Sequence, residues 1–127
     1  MKRVYYNKLI RDKIPEKIRK NGARYNARAI SDAAELQQEL LKKVSEEAGA
    51  LSKVRSRAEL LDELADLLAV IDALVSLEKI TPKELALARK ENMVKKGGFK
   101  KKFFLHWSSD EGYQSNETPQ GIRNTKK

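Results

Sequence analysis

Two apolar stripes at helical spacing organise the middle of the chain. Between Asp32 and Val54 the stripe runs Leu36, Leu40, Val44, Ala48 and Leu51. Steps of three and four residues put these side chains on one face of a helix. A second stripe runs Leu60, Leu64, Leu67, Ile71 and Leu74, flanked by Leu61, Leu68 and Val75. Ser31 is placed to cap the first helix, expected over roughly 32–54. Ser56-Arg57-Ala58-Glu59 has the pattern of a capping box for the second, in which serine and glutamate each satisfy an exposed amide. The connection is only a few residues, which predicts an antiparallel helical hairpin.

Shorter signals frame that hairpin. Thr81-Pro82-Lys83-Glu84 predicts a third helix, with a cap, a proline in the first turn and a second capping box. It should run to about Lys96, where Gly97-Gly98 stops it. Near the start, Asn7–Ile14 reads as a turn or short helical stretch. Pro15 can then open a short helix through Lys20, with Gly22 just past its end. Residues 24–30 lack helical periodicity and read as extended. FKKKFFL at 99–105 reads as a strand or an extended arm. Residues 108–127 are polar and poor in apolar side chains, as expected of a disordered tail behind a helical domain at 1–107. The expected fold is therefore all-α: a central hairpin, a third helix and a basic N-terminal arm.

Glu47 breaks the first stripe. At about 100° per residue it projects between Leu36 and Leu40. A carboxylate in such a seam costs several kcal/mol unless it is paired, hydrogen-bonded or on a metal. Glu63 and Asp66, three residues apart, share one face of the second helix at the edge of its leucine stripe. Three carboxylates converging on one seam repel each other. A hard, oxygen-preferring cation such as Mg²⁺ or Mn²⁺ would resolve the conflict. Blander readings exist for each acid. Glu63 and Asp66 alone could be solvated or ion-paired, and Lys43 stands one turn before Glu47.

Composition narrows the classes. The chain has 127 residues, 40% hydrophobic and 35% charged, with no cysteine. That suits one helix-rich globular domain and excludes thiolate catalysis and disulfide frameworks. No apolar run approaches the ~18 residues of a membrane span. The opening residues have no long apolar core, so a secretory signal is not expected and a cytoplasmic location fits. The net charge of +9 is segregated. Residues 1–30 hold ten Lys/Arg against two acids, residues 31–94 nine against thirteen, and residues 95–127 eight against three. A uniform basic coat would suggest nucleic acid. An acidic centre between basic ends suggests a cation pocket with arms that hold phosphates.

The same residues resemble a known family. Glu46-Glu47 followed by Glu63-x-x-Asp66 is similar to the EExxE…ExxD signature of the MazG-like all-α nucleotide pyrophosphohydrolases. Asn7-Lys8-Leu9-Ile10-Arg11-Asp12-Lys13-Ile14-Pro15 resembles the NKLVRDKIP opening of a small branch labelled phosphoribosyl-ATP pyrophosphohydrolase-like. Glu63-Leu64-Ala65-Asp66-Leu67 and Lys96-Gly97-Gly98-Phe99, with the FFL run at 103–105, are similar to its later motifs. The ordered set covers roughly residues 5–105. It implies a Mg²⁺- or Mn²⁺-dependent enzyme that splits nucleoside triphosphates into monophosphate and pyrophosphate and works as a homo-oligomer, a dimer or higher. Carried over, Glu47, Glu63 and Asp66 would be catalytic metal ligands, with Glu46 a further candidate ligand. Lys8, Arg11 and Lys13 would hold substrate phosphates, and Lys95, Lys96 and Lys100 are weaker candidates for that role. The chain departs from the signature at Ala50, where the family has an acid. One expected ligand is missing, so metal affinity and activity should be reduced. The alternative is a catalytically degenerate relative that binds nucleotides or RNA.

Other residues carry less. His106 is the chain's one histidine and reads as incidental. Tyr5 and Tyr6 could stack on a base but read first as packing residues. A P-loop pattern is absent.

Overall fold

A computed structural model describes residues 2–109; the C-terminal tail expected over 108–127 lies almost wholly outside them. Four helices form, α1 (Ile14–Lys20), α2 (Ala33–Leu51), α3 (Arg57–Leu77) and α4 (Pro82–Lys96). No strand occurs among the described residues, so the FKKKFFL segment is irregular rather than β. The described residues divide into two units at Ala86 and Leu87.

In the first unit the hairpin forms as its caps dictate. The cap of α2 is Asp32 and not Ser31, because the Asp32 carboxylate accepts from Glu35 N at 3.2 Å. Aspartate at this position also sits favourably against the positive end of the helix dipole. Ser56 caps α3 by accepting from Glu59 N at 3.1 Å, while the Glu59 carboxylate reaches back to Arg55 N at 2.6 Å. The box thus closes one residue earlier than the usual pattern. Thr81 and Glu84 close theirs on α4 through reciprocal bonds of 3.1 and 3.4 Å. Pro15 lies in the first turn of α1, and Gly22 past its end takes φ +77°. Asparagine likewise tolerates the left-handed turn at Asn7, φ +47°, which bends the arm ahead of Lys8.

Helices α2 and α3 pack antiparallel. Gln37 near the start of α2 donates to Glu78 just past the end of α3, at 2.7 Å. The core of this seam is thin: Leu40 and Val70 are the buried apolar residues, at 5% and 8% exposure. On α2 the inward face is Leu36, Leu40, Lys43, Val44, Glu47, Ala50 and Leu51, whereas Ala48 is exposed. On α3 it is Glu63, Asp66, Leu67, Val70 and Leu74. Leu60, Leu64 and Ile71, expected in the seam, stay 37–38% exposed, and Leu61 and Leu68 more so. Leucines and isoleucine cover most of the circumference of α3, so periodicity alone does not choose the face that meets α2. The smaller Val70 and the two acids are what fit against it.

The arm before α1 is irregular but anchored, with Leu9 and Ile10 half-buried. Tyr5 and Tyr6 do not pack as expected; they are 73% and 68% exposed. Lys8 Nζ lies 5.6 Å from the centre of the Tyr6 ring. In the second unit, Gly97 ends α4 at φ +73°, and the following segment exposes Phe99, Phe103, Phe104 and Trp107. His106 meets Phe104 edge-on at 5.1 Å. No helix among the described residues is long and apolar enough to cross a membrane.

Candidate metal centre on the helical hairpin

Glu47 comes from α2, Glu63 and Asp66 from α3. One carboxylate oxygen of each lies within 4.8 Å of the other two. The convergence follows from local structure. Residues 63 and 66 are neighbours on one helical face, and the antiparallel register brings Glu47 opposite them. All three acids are half-buried, so their mutual repulsion is screened less than on an open surface.

Glu63 bears most of that conflict. Its Oε2 is shut away from solvent and has no hydrogen-bond partner, although the residue as a whole is half-buried. Loss of hydration pushes the Glu63 carboxyl above the ordinary glutamate range. Its contact with Glu47 adds to the shift, because two carboxylates can share a hydrogen bond only when one holds a proton. The charges of Glu47, Asp66 and Asp62 push the same way.

Cations reach the other two acids. Lys43 Nζ stands 3.9 Å from Glu47 Oε1, with the two side chains 12% and 15% exposed. Arg11 Nη1 donates to Asp66 Oδ1 at 3.1 Å across 55 residues of sequence. Lys8 donates to Glu46 at 3.0 Å and Lys43 to the same oxygen at 3.3 Å. Glu46 is thereby held below the ordinary glutamate range, chiefly by the hydrogen bond from Lys8. It stands outside the triad, as a pairing partner of the arm. Lys13 makes no ion pair among the described residues. The exposed pairs to Arg11 and Lys8 are each worth no more than about 1 kcal/mol.

The structure therefore brings together the three acids expected as ligands. Two of the three cations expected on phosphates, Lys8 and Arg11, pair with the carboxylates of Glu46 and Asp66. The charge segregation of the sequence carried a hint of this, since a basic arm beside an acidic centre is attracted to it. Ala50 lines an open cleft of about 320 Å³ together with Lys53, Val54, Glu59, Asp62 and Glu63. Free space thus lies beside Ala50 and Glu63. Lys53, not singled out by sequence, is the cation at that cleft. Its position just past the end of α2 was the available signal.

The donor set fits a hard divalent cation. It is all oxygen and all anionic, as Mg²⁺ and Mn²⁺ prefer. Two oxygens on one Mg²⁺ can be no more than about 4.2 Å apart, twice a bond of about 2.1 Å. The three oxygens, within 4.8 Å of one another, lie close to that limit. No family model, characterised protein or solved structure matches the chain. The functional reading rests on these residues.

Proposed function

We propose that the chain is a divalent-cation-dependent pyrophosphohydrolase of the MazG-like type, acting on nucleoside triphosphates. The observation that carries the reading is the solvent-shielded, partnerless Glu63 Oε2 among three acids. An ion pair with Arg11 or Lys43 relieves Asp66 or Glu47, and neither relieves Glu63. A bound Mg²⁺ or Mn²⁺ would neutralise substrate phosphate oxygens and orient a water for attack. Glu47, Glu63 and Asp66 would hold that cation. The cleft lined by Ala50, Lys53, Glu59, Asp62 and Glu63 is open beside the triad; with a divalent cation offsetting its acids, phosphates would lie there, against Lys53. Arg11, with its planar fork, suits two-point contact with phosphate oxygens better than Lys8 or Lys13 does. With alanine at position 50 the chain offers three acids rather than four, so the cation would be held less tightly than by four.

One further feature belongs to this reading. Leu60, Leu61, Leu64, Leu68 and Ile71 leave one side of α3 apolar and open, which suits pairing with a second copy. A monomeric mass by light scattering would contradict that. Pyrophosphate release from a panel of ribo- and deoxynucleoside triphosphates, with Mg²⁺ or Mn²⁺, tests the activity. No release from any substrate, with no cation binding by calorimetry, refutes it.

A second reading is a nucleotide- or RNA-binding protein without hydrolysis. Ala50 and the exposed Phe99, Phe103, Phe104 and Trp107 among lysines 95–102 favour it, since exposed aromatics among lysines suit stacked bases. Salt-sensitive RNA binding that persists in Glu63→Gln would select it.

A further inference from the structure

The arm carries two cations to the rim of the acid site. Arg11 meets Asp66, a member of the triad, at 3.1 Å, and Lys8 meets Glu46, the neighbour of Glu47, at 3.0 Å. The contacts span 55 and 38 residues of sequence, so they fasten a distant segment to both helices of the hairpin. Leu9 and Ile10, between the two cations, are half-buried and hold the arm in place. The pairs are solvent-accessible, with Arg11 at 62% and Lys8 at 41% side-chain exposure, so a stronger competitor can break them.

We infer that the N-terminal arm is the site's own counter-ion strap: Arg11 and Lys8 neutralise its rim, Lys8 tethers the arm to Glu46, and a divalent cation competes with Arg11 for Asp66. The inference rests on the reading of the triad as a cation site and deepens it. A divalent cation bound by Asp66 removes the negative charge that holds Arg11. Released there, the guanidinium is left beside the triad, where triphosphate oxygens would bind it. Arg11 thus has two successive partners, a carboxylate before cation binding and phosphate afterwards. The exchange gives Arg11, a residue suited to phosphate, a role in its contact with Asp66. It also gives the protein a reason to keep a weak pair at this position, since a tight one would exclude the cation.

Calorimetric titration with Mn²⁺, without nucleotide, tests the competition. Arg11→Gln should bind Mn²⁺ about two- to fivefold tighter than wild type, the factor by which an exposed pair of this kind holds. Lys13→Gln removes the same charge from the same arm without breaking a pair, and should leave affinity unchanged. Equal affinity in wild type and Arg11→Gln, weaker binding in Arg11→Gln, or equal tightening in Lys13→Gln overturns the strap alone. Absence of Mn²⁺ binding in all three proteins overturns the triad as a cation site and the strap with it. A second readout follows the arm itself. Tryptic cleavage after Arg11 of wild type, resolved by mass spectrometry, should accelerate in saturating Mn²⁺ while cleavage after Lys53 does not. Unchanged or slower cleavage of the arm overturns the inference.

Discussion

Glu63→Gln should change the stability of the protein with opposite signs in the absence and presence of a divalent cation. Without the cation, glutamine removes a charge that Glu47, Asp66 and Asp62 all oppose. Its amide also gives the triad a donor that a carboxylate lacks. The melting temperature should therefore rise. The gain should depend on pH, and its sign follows from the raised carboxyl. Between the ordinary glutamate value of 4.5 and the higher value in the fold, the folded state holds the proton that the unfolded state has lost. Stability from Glu63 is then full below the ordinary value and is lost as pH rises through the folded one. Wild type and Glu63→Gln should converge in acid and separate towards neutrality. With Mn²⁺ at a hundred times its dissociation constant, wild type should gain about 2.7 kcal/mol. The unit containing the hairpin, Met1–Ala86, should unfold with an entropy near 0.18 kcal/mol/K at about 2.1 cal/mol/K per residue. The expected shift for wild type is then about 15 °C, and most of it should vanish in Glu63→Gln. Differential scanning fluorimetry across pH, with and without Mn²⁺, measures both effects. The same Mn²⁺ shift in both proteins would refute the ligand assignment. A metal-free variant that melts below wild type at neutral pH would refute the account of repulsion.

Three other substitutions probe the frame and the site. Leu40→Ala opens the thin core at its most buried position, 5% exposed, and should cost about 2–5 kcal/mol in chemical denaturation; a loss below about 1 kcal/mol would mean that the seam is not the core. Ser56→Ala removes the oxygen that accepts from Glu59 N and should cost about 1 kcal/mol, with Mn²⁺ affinity unchanged by calorimetry. Ala50→Glu places a fourth carboxylate in the cleft beside Glu63. It should lower the metal-free melting temperature, tighten Mn²⁺ binding and raise pyrophosphate release; looser Mn²⁺ binding would count against the cleft as part of the site.

Local signals, which act over three or four residues, fixed most of the helical frame. The Ser56 and Thr81 boxes and the glycine after α4 each mark a helix end at the residue where it occurs, and the proline expected to open α1 lies one residue inside it. The one misplaced cap, Ser31 for Asp32, separates two adjacent residues with nearly equal capping chemistry. The three acids were also legible, because an i, i+3 pair on α3 and an acid between leucines of α2 need only helical geometry to be brought towards one seam.

Tertiary structure decided what helical period leaves open. Leucines and isoleucine surround α3, so its spacing fits several packing faces equally; only docking against α2 turned Val70 inward and left Leu60, Leu64 and Ile71 open. The partners of Lys8 and Arg11 were likewise beyond the sequence. A basic arm has the same composition whether it meets phosphate, water or a carboxylate, and that choice depends on a contact across 38 or 55 residues. The convergence of the acids is therefore written in the chain, whereas the cations set against them are a property of the folded arm.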